Sequence, residues 1–195
     1  NPALTVLDIE KFAAAAHRHG VPLIVDNTFA TPINCRPFEW GADIVVHSTT
    51  KYMDGHAVQG GGVIVDGGKF DWAASGKFPD FTEPDESYHG ITDTERFGLA
   101  GAYITKATVQ LMRDLGAIQS PQSAYYLNLG LESLHVRMPR HCENGLAVAK
   151  FLQSQAPGCS AYVIGDHGLY NALYDAGITI NDVDPDYIVV GETVT

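Results

Sequence analysis

The chain has 195 residues, with 23 Asp+Glu against 12 Lys+Arg, a formal net charge of -11 and a pI near 4.9. So acidic a balance argues against a nucleic-acid partner, which needs a basic footprint to meet a phosphate backbone. A 45% hydrophobic content argues against disorder, and the length allows one buried core or one and a half.

Three cysteines, Cys35, Cys142 and Cys159, have neither metal-like nor redox-like spacing and leave an odd count. Reduced thiols, a cytoplasmic location and no metal site are expected rather than a disulfide framework. No apolar run approaches the roughly 18 residues of a membrane span, so no membrane partner is expected. The chain opens on Asn1-Pro2 without an initiator Met or a leader, and reads as the interior of a longer protein.

Thr5-Val6-Leu7-Asp8 has the form of a helix cap, and Ile9, Phe12, Ala13 and Ala16 then recur at helical spacing until Gly20 and Pro22. His17 and His19 fall in the last turn, where positive charge complements the helix end. Pro22 to Val25 is predicted to be a buried strand closed by Asp26-Asn27-Thr28, and Asp26 reads either as a turn former or as a functional charge. Pro37 to Gly41 predicts a short helical turn, and the apolar run Ile44 to Val46 predicts a second buried strand.

That strand delivers Ser48, Thr50 and Lys51 into a loop bounded by Gly55. Two hydroxyls able to donate to a phosphate beside an amine able to condense with a carbonyl suit pyridoxal phosphate; a surface lysine after a strand is the plain alternative. Ligands of open α/β sheets bind at the carboxyl ends of strands. Gly60-Gly61-Gly62 leads into another predicted buried strand, Val63 to Asp66. These glycines enter a strand instead of opening a helix, which disfavours a nicotinamide cofactor.

Phe70 to Ser75 predicts a brief helix and Lys77 to Gly90 a polar excursion. A long helix is expected from Thr94 to Leu115, stopped by Gly116. Ser120-Pro121 should start another, and Leu131 to Gln153 continues at helical spacing with Pro139 expected to kink or split it. His135 and His141 read as solvated helix residues.

Asp43 through His56 resembles the pyridoxal-phosphate attachment signature of the Cys/Met-metabolism family of transsulfuration enzymes, departing from it only at Ala57. The flanking text, Lys51 to Ala57 and Gly62 to Trp72, is most similar to the O-acetylhomoserine sulfhydrylases, and the resemblance runs from Asn1 to about Gln155. It implies an α/β fold: part of the large domain of fold type I (aspartate-aminotransferase-like) enzymes, mainly parallel sheet with one antiparallel strand. Residues 1-130 would be the second half of the cofactor domain and 131-155 the interdomain helix.

The resemblance also implies roles. Lys51 would be the catalytic lysine that carries pyridoxal 5'-phosphate, Asp26 the partner of the pyridine nitrogen, and Thr28, Ser48, Thr50 and Asn1 further cofactor contacts. The implied reaction is γ-replacement on O-acetylhomoserine by sulfide or methanethiol, giving homocysteine or methionine, in a protein whose full-length relatives form homotetramers. A phosphate loop, a stacking tyrosine, partner-subunit contacts and a substrate-binding arginine have no recognisable counterpart here. Turnover is therefore expected from a complete enzyme carrying this segment and not from residues 1-195 alone.

Residues 160-195 resemble instead the cap region of haloacid-dehalogenase-type sugar-phosphate phosphatases, without their nucleophile motif. They predict strand, helix, strand and a last apolar strand from Tyr187 to Val190. A hybrid chain is one reading and a divergent sulfhydrylase tail the other. The alternative function that follows is a non-catalytic or phosphatase-cap-like binding module.

Overall fold

A computed structural model describes residues 6–164 and 167–190, with 167, 168, 171 and 172 described by backbone only. Helix α1 (Ile9–Arg18) is capped by Asp8, whose carboxylate accepts the Lys11 amide at 3.1 Å and pairs with the Lys11 amine at 2.7 Å. The proposed capping hydroxyl of Thr5 lies outside the described residues. In the last turn, His17 Nε2 lies 2.8 Å from Asp43 Oδ2, and the same oxygen accepts the Leu23 amide at 2.7 Å. Asp43 thus ties the end of α1 and the approach to the first strand to the start of the second.

Strands β1 (Ile24–Asp26) and β2 (Ile44–Ser48) are parallel, with Asp26 opposite Val46; β3 (Gly62–Asp66) runs antiparallel to β2, with Ser48 opposite Gly62. Between β1 and β2 lie the short helix α2 (Thr31–Asn34) and a 3-10 turn, Pro37–Trp40, closed by Gly41 at φ 92. This is the expected α/β arrangement, one antiparallel strand included. Two readings need correction: β1 and β3 are not buried strands. Ile24 is 50% exposed and Ile64 46%, because in a three-stranded sheet the outer strands lack a neighbour on one side; only central β2 buries Ile44 and Val45.

One sheet face packs on an aromatic cluster. Ile44 and Val46 meet Phe70, Phe78 and Trp72, the last from α3 (Trp72–Ser75), and Trp72 stacks with both Phe81 (4.4 Å, 22°) and Tyr103 (5.6 Å, 4°). Phe81 belongs to α4 (Pro79–Thr82), so the 77-90 excursion is folded in part, with a further 3-10 turn at Glu86–Tyr88.

The helix expected over 94-115 is three pieces. Helix α5 (Asp93–Lys106) breaks at Gly98 (φ 64, ψ -172), a conformation open only to glycine, and passes through a π-turn, Ala107–Met112, into α6 (Arg113–Leu115); Gly116 ends it at φ 72. Lys106 binds Asp85 at 2.9 Å and Asp93 at 3.1 Å, while Gln110 on the π-turn donates to Asp85 at 2.6 Å and to Ser87 at 2.9 Å. Bonds from Ser87 first, then Gln110 and Lys106, hold the Asp85 carboxyl well below its usual range. Burial works against charge on Lys106, but the two carboxylates outweigh it and raise its pKa.

Helix α7 (Pro121–Gln155) is one unbroken run of 35 residues, capped by Ser120, whose Oγ accepts the Ser123 amide at 3.1 Å. Pro139 neither splits it nor ends it: the turn preceding the proline is fastened by Leu134 and Met138, which bury themselves against Met53. The carboxyl half of α7 carries a second core, where Ala149 packs with Cys159, Ala161, Val163, Leu173, Ala176 and Ile178. These come from β4 (Ser160–Ile164), α8 (His167–Asp175) and the segment entering β5 (Thr179–Ile180). With β6 (Tyr187–Val190) the strands form an all-parallel sheet in the order β5-β4-β6, the predicted succession of elements. Cys35, Cys142 and Cys159 are free thiols.

Lys106→Met should cost about 3 kcal/mol in urea unfolding, since it leaves Asp93, 1% exposed, buried without its cation. Asp85→Asn, which keeps Lys106 paired to Asp93, should cost clearly less. Equal losses would show that the pair with Asp93 is not the dominant contact.

Candidate cofactor site

Parallel pairing puts the carboxyl ends of β1 and β2 side by side. Asp26 is the last residue of β1, and Lys51 stands three residues beyond Ser48, the last of β2, so both residues lie at one end of the sheet. The turn that holds Lys51 is anchored before and after it. The Thr49 amide donates to Gly61 O at 3.0 Å, and the Gly61 amide donates to Thr50 Oγ1 at 3.1 Å. On the far side, the Gly55 amide closes a helical turn onto Lys51 O at 2.9 Å, with Gly55 at φ 71.

Thr28 links the two strand ends. Its hydroxyl donates to Asp26 Oδ1 at 2.6 Å and accepts the Ser48 amide at 2.8 Å, while its own amide donates to the same carboxylate oxygen at 3.0 Å. One carboxylate oxygen is thereby fixed, Oδ2 has no partner among the described residues, and Asp26 as a residue is exposed. The hydroxyl of Ser48 and the amine of Lys51 have no partner among the described residues. Thr50 accepts a bond from Gly61 and keeps its own proton for donation, as its 3.5 Å distance to Gly61 O is long for a hydrogen bond.

The structure therefore brings together Asp26, Thr28, Ser48, Thr50 and Lys51. Asn1 lies outside the described residues. Under the turn, Gln59 donates to Thr49 O at 2.9 Å and accepts from Gln119 at 3.1 Å, and the Asp54 carboxylate accepts the amides of His56 and Val58, both at 3.2 Å.

The sequence reading missed what stands behind the turn. Gly130 and Arg137 of α7, seven residues apart and so on one helical face, touch its backbone directly. Together with Leu134 and Met138 they form a single stripe, and that spacing was the available signal. His47 was missed too. It is buried on the opposite face of β2 from Ser48, with Nδ1 unpartnered among the described residues.

The donor set suits pyridoxal phosphate: two hydroxyls with protons to give, an amine in no ion pair among the described residues, and an open carboxylate oxygen, all at one strand end. The family model for "Cys/Met metabolism PLP-dependent enzyme" matches residues 1–163. The chain belongs to that family.

Among curated relatives it is 48% identical over 156 residues to the homocysteine/cysteine synthase of Kluyveromyces lactis, covering 79% of this chain and 35% of that protein. It is 49% identical over 160 residues to the O-acetyl-L-homoserine sulfhydrylase of Leptospira meyeri, covering 78% and 36%. The chain thus spans about a third of the length of the family members it matches. A crystal structure of an O-acetylhomoserine (thiol)-lyase of Campylobacter jejuni with N'-pyridoxyl-lysine-5'-monophosphate superposes with a TM-score of 0.70 at 34% identity, over 80% of this chain and 37% of that one. The metB structure of Corynebacterium glutamicum gives 0.55, also at 34% identity, over 82% and 32%. The fold is accordingly that of the fold type I enzymes. The family match reaches into β4, beyond the expected limit near residue 155.

Burial holds the His47 imidazole below its usual value of 6.5, against the opposing pull of a hydrogen bond to the Asn27 backbone and the charge of Asp26. As pH falls through 6.5 the unfolded chain takes up this proton before the folded chain does, so stability declines with falling pH. The urea midpoint should drop between pH 7 and pH 5.5, and drop less in His47→Gln. Identical slopes would remove His47 as the cause.

Proposed function

We propose that this chain supplies the lysine side of a pyridoxal 5'-phosphate site in an enzyme that replaces the acetate of O-acetylhomoserine by sulfide or methanethiol, giving homocysteine or methionine. The observation that carries it is that Asp26 and Lys51 lie at the same end of two paired strands, together with Ser48 and Thr50. Names borne by relatives near 48% identity support the substrate class.

Bound there, pyridoxal phosphate supplies a ring that accepts the electrons freed when the substrate's Cα–H bond breaks. Ser48 and Thr50 donate hydrogen bonds to the phosphate and set its position along the strand ends. Asp26 keeps a proton on the ring nitrogen, and Thr28 aims the carboxylate by holding one of its oxygens. Lys51 would hold the cofactor through its Nζ, and that amine, once free, would take up the proton of the substrate's Cα and give it back. In this reading Asn1 adds a contact to the cofactor, residues 1-130 are cofactor domain, 131-155 the connecting helix and 156-195 a separate α/β tail. The complete protein works in the cytoplasm as a homotetramer on small molecules, without nucleic acid or membrane. No helix of the described residues is long and apolar enough to cross a membrane.

In the complete protein, Lys51→Ala should abolish cofactor trapped by borohydride on this segment and nearly all release of acetate from O-acetylhomoserine. Asp26→Asn should keep the trapped cofactor and lose turnover on the order of a hundredfold. Wild-type turnover in Asp26→Asn would remove the charge-pair role, and trapping on another lysine would remove the site.

A further inference from the structure

Helix α7 is seated in the Lys51 turn rather than laid beside it. A Cβ at Gly130 would stand 2.2 Å from Asp54 O and 2.5 Å from Met53 O, so helix backbone and turn backbone are in direct contact. Two turns on, Arg137 reaches back across the junction. Its Nη1 donates to Tyr52 O, its Nη2 to Gly130 O and its Nε to Ser133 Oγ, each at 2.8 Å. The guanidinium lies against Gly55, where a Cβ would come within 2.6 Å of Cζ.

The pattern of partners is informative. Arg137 meets no carboxylate in an ion pair among the described residues; its charge is spent on two carbonyls, one from the turn and one from the helix. A planar fork that bridges two acceptors fixes their separation and their angle, which a lysine at the same place cannot do. The bridged turn carbonyl is that of Tyr52, the residue after Lys51. On the other side of Lys51 the backbone is already fixed by Gly61. Arg137 is therefore the second of two anchors between which the lysine is held.

We propose that Arg137 is a positioning residue for Lys51: by clamping Tyr52 O to α7 it sets the angle at which the amine enters the strand-end site. The proposal rests on the assignment of Lys51 given above. Misplacement of a reacting group by about 1 Å can cost on the order of a hundredfold in rate, so an anchor one residue away falls on the chemical step more than on substrate affinity.

The test uses the complete protein with Arg137→Ala, Arg137→Lys and Ser133→Ala, and Lys51→Ala as control. Turnover is counted per Lys51 trapped by borohydride and identified by peptide mass, so that unfolded molecules drop out. Arg137→Ala should retain cofactor on Lys51, lose about tenfold or more in kcat per trapped site with KM within about threefold, and exchange the Asp54 and Gly55 amides about tenfold faster. Arg137→Lys should recover part of kcat, because an ammonium can still hold one carbonyl. If Arg137→Ala does not fold, Ser133→Ala, which frees only Nε, should show a two- to threefold loss of kcat per trapped site. Wild-type kcat per trapped site in whichever of these two variants folds overturns the proposal, as does a loss confined to KM. Cofactor trapped elsewhere than Lys51 in the wild type overturns the Lys51 assignment instead, and the exchange rates still report whether Arg137 holds the turn.

Discussion

The parallel pairing of β1 with β2 is the constraint on which the rest depends. Were the two strands antiparallel, Asp26 and Lys51 would lie at opposite ends of the sheet and no ligand could span them. Register matters as much as direction. With Asp26 opposite Val46, Thr28 comes level with Ser48, and a single hydroxyl can bind the carboxylate and the neighbouring strand's amide together. Asp43 guards this register from the other end by gathering His17 and the Leu23 amide onto one oxygen.

Much of this was legible in the sequence, and for identifiable reasons. An apolar run followed by hydroxyls and lysine can hardly be anything but a strand and its exit loop, and Asp26 after a similar run marks the matching exit. The long connection with its helical turn between the two strands suits a parallel crossover, which gives the shared end. What could not be read is set by packing across distant segments. Apolar content alone made Ile24 and Val63 to Val65 look buried, whereas exposure depends on how many strands flank them. Pro139 suggested a break, but a proline removes one hydrogen bond and the buried contacts of Leu134 and Met138 outweigh that loss.

The sequence was least informative about the support behind the site. Thr28 reads in the sequence as a cofactor contact, whereas its hydroxyl is largely committed to joining Asp26 to Ser48. Arg137 and Gly130 carry no motif of their own; their meaning arises only where a helix some eighty residues later returns to the lysine turn. Loops that bear chemistry are held by whatever packs beneath them, and that partner is seldom near in sequence.

Gly130 also reverses an ordinary rule of helix design. In an exposed helix interior, exchanging glycine for alanine gains about 1 kcal/mol, because the chain gives up less freedom on folding. Here the added methyl would overlap the carbonyl oxygens of Asp54 and Met53, which are backbone atoms of the turn, so helix and turn would have to part. A change that improves α7 as an isolated helix is here one that harms it as a wall. Intrinsic preference and tertiary role are opposed at this residue, and the absence of a side chain is what lets the helix backbone at Gly130 lie flush against the lysine turn.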